Sequence, residues 1–98
     1  MKKIIKIDSH YYSFYELLIE LDRSMLNLWD FEEYSYKKGS IKKYYKSCSS
    51  GQEVILSFLI MVWRGYNEFN FDLCKAAKCL NQHQLNVMSK WIKNPTFY

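Results

Sequence analysis

Residues 34 to 46 hold the densest chemistry in the chain: Tyr34, Tyr36, Lys37, Lys38, Lys42, Lys43, Tyr44, Tyr45 and Lys46, broken by Ser35, Gly39, Ser40 and Ile41. Lysines neutralise phosphates or pair with carboxylates. Tyrosine rings stack on bases or bring stiff, amphipathic area to a protein interface. The plainer reading is a solvated lysine face with half of the tyrosines packed inward. The last five residues, Asn94-Pro95-Thr96-Phe97-Tyr98, are apolar for a tail. They are expected to fold back on the core or to dock into a partner. The candidate partner-binding residues are therefore the nine named above together with Phe97 and Tyr98.

A second constellation lies at 71–93. Ala77, Leu80, Asn81 and Val87 fall where a helix-turn-helix places its small residue, apolar residue, turn and packed apolar residue. The second helix would offer Gln82, His83, Gln84 and Asn86 to base edges, with Lys90 and Lys93 near phosphates. Side-chain amides are the right chemistry for adenine. Two positions fit badly: Gln82 stands where an apolar residue is usual, and Lys90 takes a slot that normally packs. A plain pair of helices joined by a short turn explains the same residues. Gln82, Gln84, Asn86, Lys90 and Lys93 are the nucleic-acid candidates.

Catalytic and metal chemistry find little support. Cys79 and His83 are four apart, with Cys74 near, but Asn81 is expected to break the helix between them, and no Cys-x-x-Cys occurs. There is no glycine-rich phosphate loop, no Gly-x-Ser-x-Gly and no His-Glu-x-x-His. Ser50-Gly51-Gln52 could bind an anion at a helix N-terminus, but a cap is the simpler role. Glu16 and Glu20 read as one solvated helix face. No catalytic residue, cofactor or metal site is expected. Trp29, Trp63 and Trp91 each fall near a helix end, either as core or as interface anchors.

The bulk composition sets the frame. The chain has 98 residues, 49% apolar and 24% charged, with a net charge of +4. That is the size of one domain over 1–98, with enough apolar chain for a modest core. Three Gly and one Pro are too few for the tight turns of a small all-β fold. The mild basic excess permits nucleic-acid or acidic partners without demanding them. Charge falls in blocks: +3 over 1–7, −6 over 8–33, +5 over 34–50, −2 over 51–72 and +4 over 73–98. Three cysteines cannot all pair within one chain, and the start lacks an apolar leader, so free thiols in the cytoplasm are expected. The longest apolar run, Val54 to Trp63, is too short to span a bilayer.

These residues must be positioned by helices. Residues 1–12 read as a short extended arm. Ser13-x-x-Glu16 reads as a capping box opening a helix whose inner face is Phe14, Leu17, Leu18, Leu21, Met25 and Leu28. Asp30-x-x-Glu33 suggests a second short helical turn. Gly39 breaks the next stretch, and Ser40 caps a helix with Ile41, Tyr44, Tyr45 and Cys48 inward. Ser50-x-x-Glu53 opens the most apolar helix, which Gly65 stops. A linker at 66–70 leads to a helix over 71–80 with Phe71, Cys74, Ala77 and Leu80 inward, together with Leu73. A last helix over 82–93, capped by Asn81 and ended by Asn94-Pro95, carries Leu85, Met88, Trp91 and Ile92. The expected fold is an all-α compact bundle of four to five helices around a central apolar helix at about 51–64.

The expected function is non-enzymatic. A protein partner would be bound by a small regulator or inhibitor acting through occlusion or bridging, as small proteins of mobile genetic elements often do. No membrane contact is expected, and a homodimer fits the same residues. The alternative is a nucleic-acid binder using the 71–93 helix pair with the 37–46 lysines.

Overall fold

The computed structural model describes residues 9–95. Among them are five α-helices: α1 (Ser9–Asp22), α2 (Lys38–Ser47), α3 (Ser50–Arg64), α4 (Leu73–Cys79) and α5 (Gln82–Lys93). A 3-10 helix, Arg23–Leu28, follows α1, and two-residue strands β1 (Trp29–Asp30) and β2 (Ser35–Tyr36) pair antiparallel. The fold is the expected mostly helical bundle. Its most buried element is α3, where Val54 to Ile60 and Val62 are all enclosed. α1 packs on α3 and α5, α4 packs on α3, and α2 rests on the 3-10 helix. Among the described residues no helix is long and apolar enough to cross a membrane.

The N-terminal part departs from the sequence expectation in three places. The arm expected over 1–12 is helical from Ser9, and residues 1–8 lie outside the described residues. Ser13 therefore sits inside α1 rather than capping it. The half-buried ring of Tyr11 packs on Trp63 at 5.5 Å, and this tertiary contact extends the helix past the local cap signal. The α-helix then stops at Asp22 instead of running to Leu28. Asp22 is extended, and its Oδ1 accepts from the Ser24 N–H at 3.1 Å and the Ser24 hydroxyl at 2.6 Å. An Asp that bonds its own neighbourhood competes with the helix ladder. The 3-10 turn that follows repeats every three residues, which keeps Met25 and Leu28 on the buried side.

The second expected helical turn is a hairpin. Trp29 faces Tyr36 and Asp30 faces Ser35. Asp30 Oδ1 accepts from the N–H groups of Glu32 and Glu33 at 3.0 and 3.1 Å, as a cap would. The chain nevertheless turns back, with Tyr34 in the left-handed region at φ 53°. α2 also starts earlier than expected. Lys37 is its N-cap, and Gly39 and Ser40 lie within its first turn, so Gly39 breaks nothing and Ser40 caps nothing. The Lys37 N–H donates to the Leu28 carbonyl at 2.7 Å, so the returning strand fixes where the helix begins.

The C-terminal part follows the sequence more closely. The cap of α3 is Ser49, one residue before the expected Ser50, and Gln52 completes the box with bonds of 3.2 and 3.1 Å. Gly65 ends α3 at φ 81°, a conformation that strains any side-chain-bearing residue. Asn81 caps α5, with Gln84 closing the box. α4 is shorter than expected and differently phased. Asp72 caps it, Ala76 is its buried residue, and Cys74 and Ala77 are exposed. The physical reason lies across the interface. A Cβ on Gly51 would meet the Cys79 carbonyl at 3.4 Å, so α3 and the end of α4 approach through backbone. On α5, Val87 and Met88 are buried, while Ile92, expected inward, is 54% exposed.

Candidate functional site

The structure divides the 34–46 stretch in two. Tyr34 and Tyr36 belong to the hairpin, and Lys38 to Lys46 belong to α2. The Tyr34 ring stacks on Tyr11 with centroids 4.4 Å apart. The Tyr36 hydroxyl donates to Glu68 Oε2 at 3.3 Å. The Arg64 guanidinium lies 5.7 Å from the Tyr36 ring and 5.2 Å from the Tyr66 ring. Its Nε and Nη2 donate to the Tyr66 hydroxyl at 3.1 and 2.5 Å, and Nε pairs with Glu68 at 3.7 Å. Tyr12, Tyr34 and Tyr66 are 50, 43 and 51% exposed. The start of α1, the hairpin and the end of α3 with its following loop thus build one tyrosine-rich pole.

A ring network holds that pole from below. Phe14 is fully buried and lies 4.8 Å from Trp63 and 5.2 Å from Trp29. Trp63 in turn touches Phe31 at 6.3 Å and Tyr11 at 5.5 Å. Sequence reasoning named Tyr34, Tyr36 and Trp63 but missed Tyr11, Arg64, Tyr66 and Glu68 as their neighbours. The Arg64–Glu68 spacing of four was the one local signal available.

α2 turns its tyrosines inward and its lysines outward. Ile41 is fully buried, and Tyr44 and Tyr45 are half-buried beside it. Tyr45 stacks on Phe69 at 5.2 Å and donates to the Glu53 carbonyl at 3.4 Å. The Tyr44 hydroxyl is enclosed without a hydrogen bond, although Ser24 lies beside it. Lys37, Lys38, Lys42, Lys43 and Lys46 are all exposed. Phe97 and Tyr98 lie outside the described residues.

Burial raises the pKa of Tyr44, Tyr45 and Tyr36, helped at Tyr36 by the Glu68 carboxylate. Burial also raises the Cys48 thiol, with Glu53 adding to it. In each case the folded chain holds its proton more tightly than the unfolded chain. The resulting stability is fully present below the ordinary thiol and phenol values of about 8.5 and 10, and it is lost as pH rises through the raised folded values. Thermal melts are expected to fall steadily from about pH 9 upward. The combined Tyr44→Phe and Tyr45→Phe chain should show a shallower decline. A midpoint unchanged to about pH 11 would contradict this assignment.

The helix pair at 73–93 uses much of its polar equipment internally. Gln84 Oε1 accepts from the Asn81 N–H at 3.1 Å, which commits it to the cap. Gln82 Nε2 donates to Asn86 Oδ1 at 2.9 Å on the exposed face. His83 Nε2 lies 3.2 Å from the Glu20 carbonyl and donates to it in the tautomer protonated there. Lys90 and Lys93 are exposed and share a shallow groove of about 370 Å³ with Glu20, His83 and Asn86. The Glu20 carboxylate in that groove weakens its pull on phosphate.

Cys74 and Cys79 are exposed free thiols, and Cys48 is half-buried. Among the described residues no three His, Cys, Asp or Glu side chains gather into a metal site. Trp29 is buried, with its indole N–H lacking a hydrogen-bond partner, and the N–H of half-buried Trp91 is likewise enclosed and unpartnered. Comparison with protein-family models, with curated proteins and with solved structures finds no match, so the functional reading stands on this chain's own residues.

Proposed function

We propose that the protein is a non-enzymatic binding protein that holds a protein partner on its tyrosine-rich pole and acts by occlusion or bridging. The observation that carries this reading is the convergence of Tyr11, Tyr34, Tyr36 and Tyr66 with Arg64 and Trp63 from separate segments. Tyr, Trp and Arg are the residues in which binding energy concentrates at protein interfaces. Tyrosine brings large contact area with few rotatable bonds, so little entropy is lost on docking. Glu32, Glu33 and Glu68 stand in the same region, which favours a protein over a phosphate backbone.

A photo-crosslinking residue placed separately at positions 34, 66 and 42 tests this in the native host. Crosslinks to one protein from positions 34 and 66, but not from 42, are expected. With that protein purified, the double change Tyr34→Ala and Tyr66→Ala should weaken binding at least tenfold, an effect of about 1.4 kcal/mol. Crosslinks from position 42 alone would overturn the pole as the site. So would duplex DNA binding that falls steeply with salt and is lost on Lys42→Glu with Lys43→Glu, because the exposed α2 lysines would then be the working surface.

A further inference from the structure

We infer that the partner held at the tyrosine-rich pole presents an arginine side chain, whose guanidinium seats on the open face of the Tyr34 ring beside Glu33. This rests on the reading of the pole as the binding site and adds the chemistry of what it takes. Tyr11 covers one face of the Tyr34 ring, with centroids 4.4 Å apart and planes 20° from parallel. Tyr34 is nonetheless 43% exposed, so its other face is open. Its backbone is left-handed, at φ 53°, which is uncommon for a bulky residue. Gly or Asn would turn the chain here with less strain. A strained residue persists only where its surroundings hold it, and such residues gather at binding sites. The strain therefore points to the ring, rather than the turn, as what this position supplies.

The pole itself shows which group such a ring takes. Arg64 lies 5.2 Å from the Tyr66 ring and 5.7 Å from the Tyr36 ring, and its Nε pairs with Glu68 at 3.7 Å. Tyrosine faces and a carboxylate together hold one guanidinium. Tyr34 and Glu33 are the same two components. Among the described residues no Lys or Arg lies over the Tyr34 ring, and Glu33 is exposed and pairs with no cation. From Asp30 to Tyr34 the turn carries Asp30, Glu32 and Glu33 and no Lys or Arg. A nucleobase would stack on the same face, but its phosphates would meet these carboxylates. A neutral ring or a proline gains nothing from them. A cation is attracted by the ring face and by the carboxylate at once. Arginine fits better than lysine, because a planar guanidinium stacks on the ring while its N–H groups reach a carboxylate at the edge.

The test is a displayed library of random 12-residue peptides, selected on the full chain and counter-selected on the Tyr34→Ala, Tyr66→Ala chain. Circular dichroism verifies that this variant keeps its helices. Enriched peptides are expected to share an arginine. Replacing that arginine by citrulline keeps its shape and removes its charge, and should weaken binding about tenfold. Tyr34→Phe should bind the same peptide within about twofold of the wild-type chain, since the ring face remains. Fluorinated phenylalanines placed at position 34 keep the ring's shape and drain its face of negative charge. Affinity should fall stepwise with each added fluorine, which apolar packing alone would not produce. Glu33→Gln should weaken binding at low salt, with the difference shrinking at high salt. Peptides that need the pole but carry no arginine would overturn this inference and leave the pole standing as the site. So would equal binding of the citrulline peptide, or a flat response across the fluorinated series. No enrichment, or peptides that bind the counter-selection chain equally well, would overturn the pole and this inference with it.

Discussion

Phe14→Ala is expected to lower the unfolding free energy by about 3–5 kcal/mol, the range for deleting a fully buried aromatic ring. Phe14 shows no solvent exposure, and its ring meets Trp63, Trp29 and Phe31 at 4.8, 5.2 and 6.3 Å. Those neighbours come from α3, β1 and the hairpin turn. None can swing into the gap without leaving another contact, so the cavity stays open. Urea denaturation should show a lower midpoint with an unchanged slope. The pole should loosen as well, because Trp63 links Phe14 to Tyr11 and so to Tyr34. A loss below about 1 kcal/mol would mean that the rings re-pack around the deletion.

The second large effect belongs to Ile41→Ala, at about 2–5 kcal/mol. Ile41 is the one buried residue of α2, with half-buried Tyr44 and Tyr45 on either side. Its removal acts on the attachment of one helix rather than on the whole core. Hydrogen exchange should therefore accelerate first over residues 38–47, ahead of α3. Lys42→Glu on the outer face of the same helix should stay within about 0.5 kcal/mol. Uniform acceleration across α1, α3 and α5 after Ile41→Ala would show that α2 is part of the same cooperative unit.

The sequence made α3 and α5 legible because their signals are local and strong. An apolar run ended by Gly65, and an Asn81 cap closed downstream by Asn94-Pro95, needed no distant information. Asp30-x-x-Glu33 was different. An Asp that accepts from the next backbone N–H groups starts a helix or turns a hairpin with the same bonds. The contact that decides between them, from the Lys37 N–H to the Leu28 carbonyl, lies between residues nine apart. Ser13 was misleading for a similar reason, since Tyr11 and Trp63 extend α1 from outside. On α4 the periodicity of a seven-residue helix could not fix its phase, and the approach through Gly51 set Ala76 inward instead of Cys74 and Ala77. The candidate site was half legible. Tyr34 and Tyr36 stood out as aromatics, but Arg64 and Tyr66 reach them only through the fold.

The packing of α1 on α5 also bears on the order in which the protein is made. α1 leaves the ribosome before α2 to α5, and its face of Leu17, Leu18 and Leu21 needs α3 and α5 to cover it. One of those two partners, α5, follows α2, α3 and α4 in the chain. Until residue 93 has emerged, the nascent chain displays an apolar stripe that α5 has yet to cover. Truncation that removes α5 therefore reaches beyond that helix. It uncovers the face of α1 that α5 packs against.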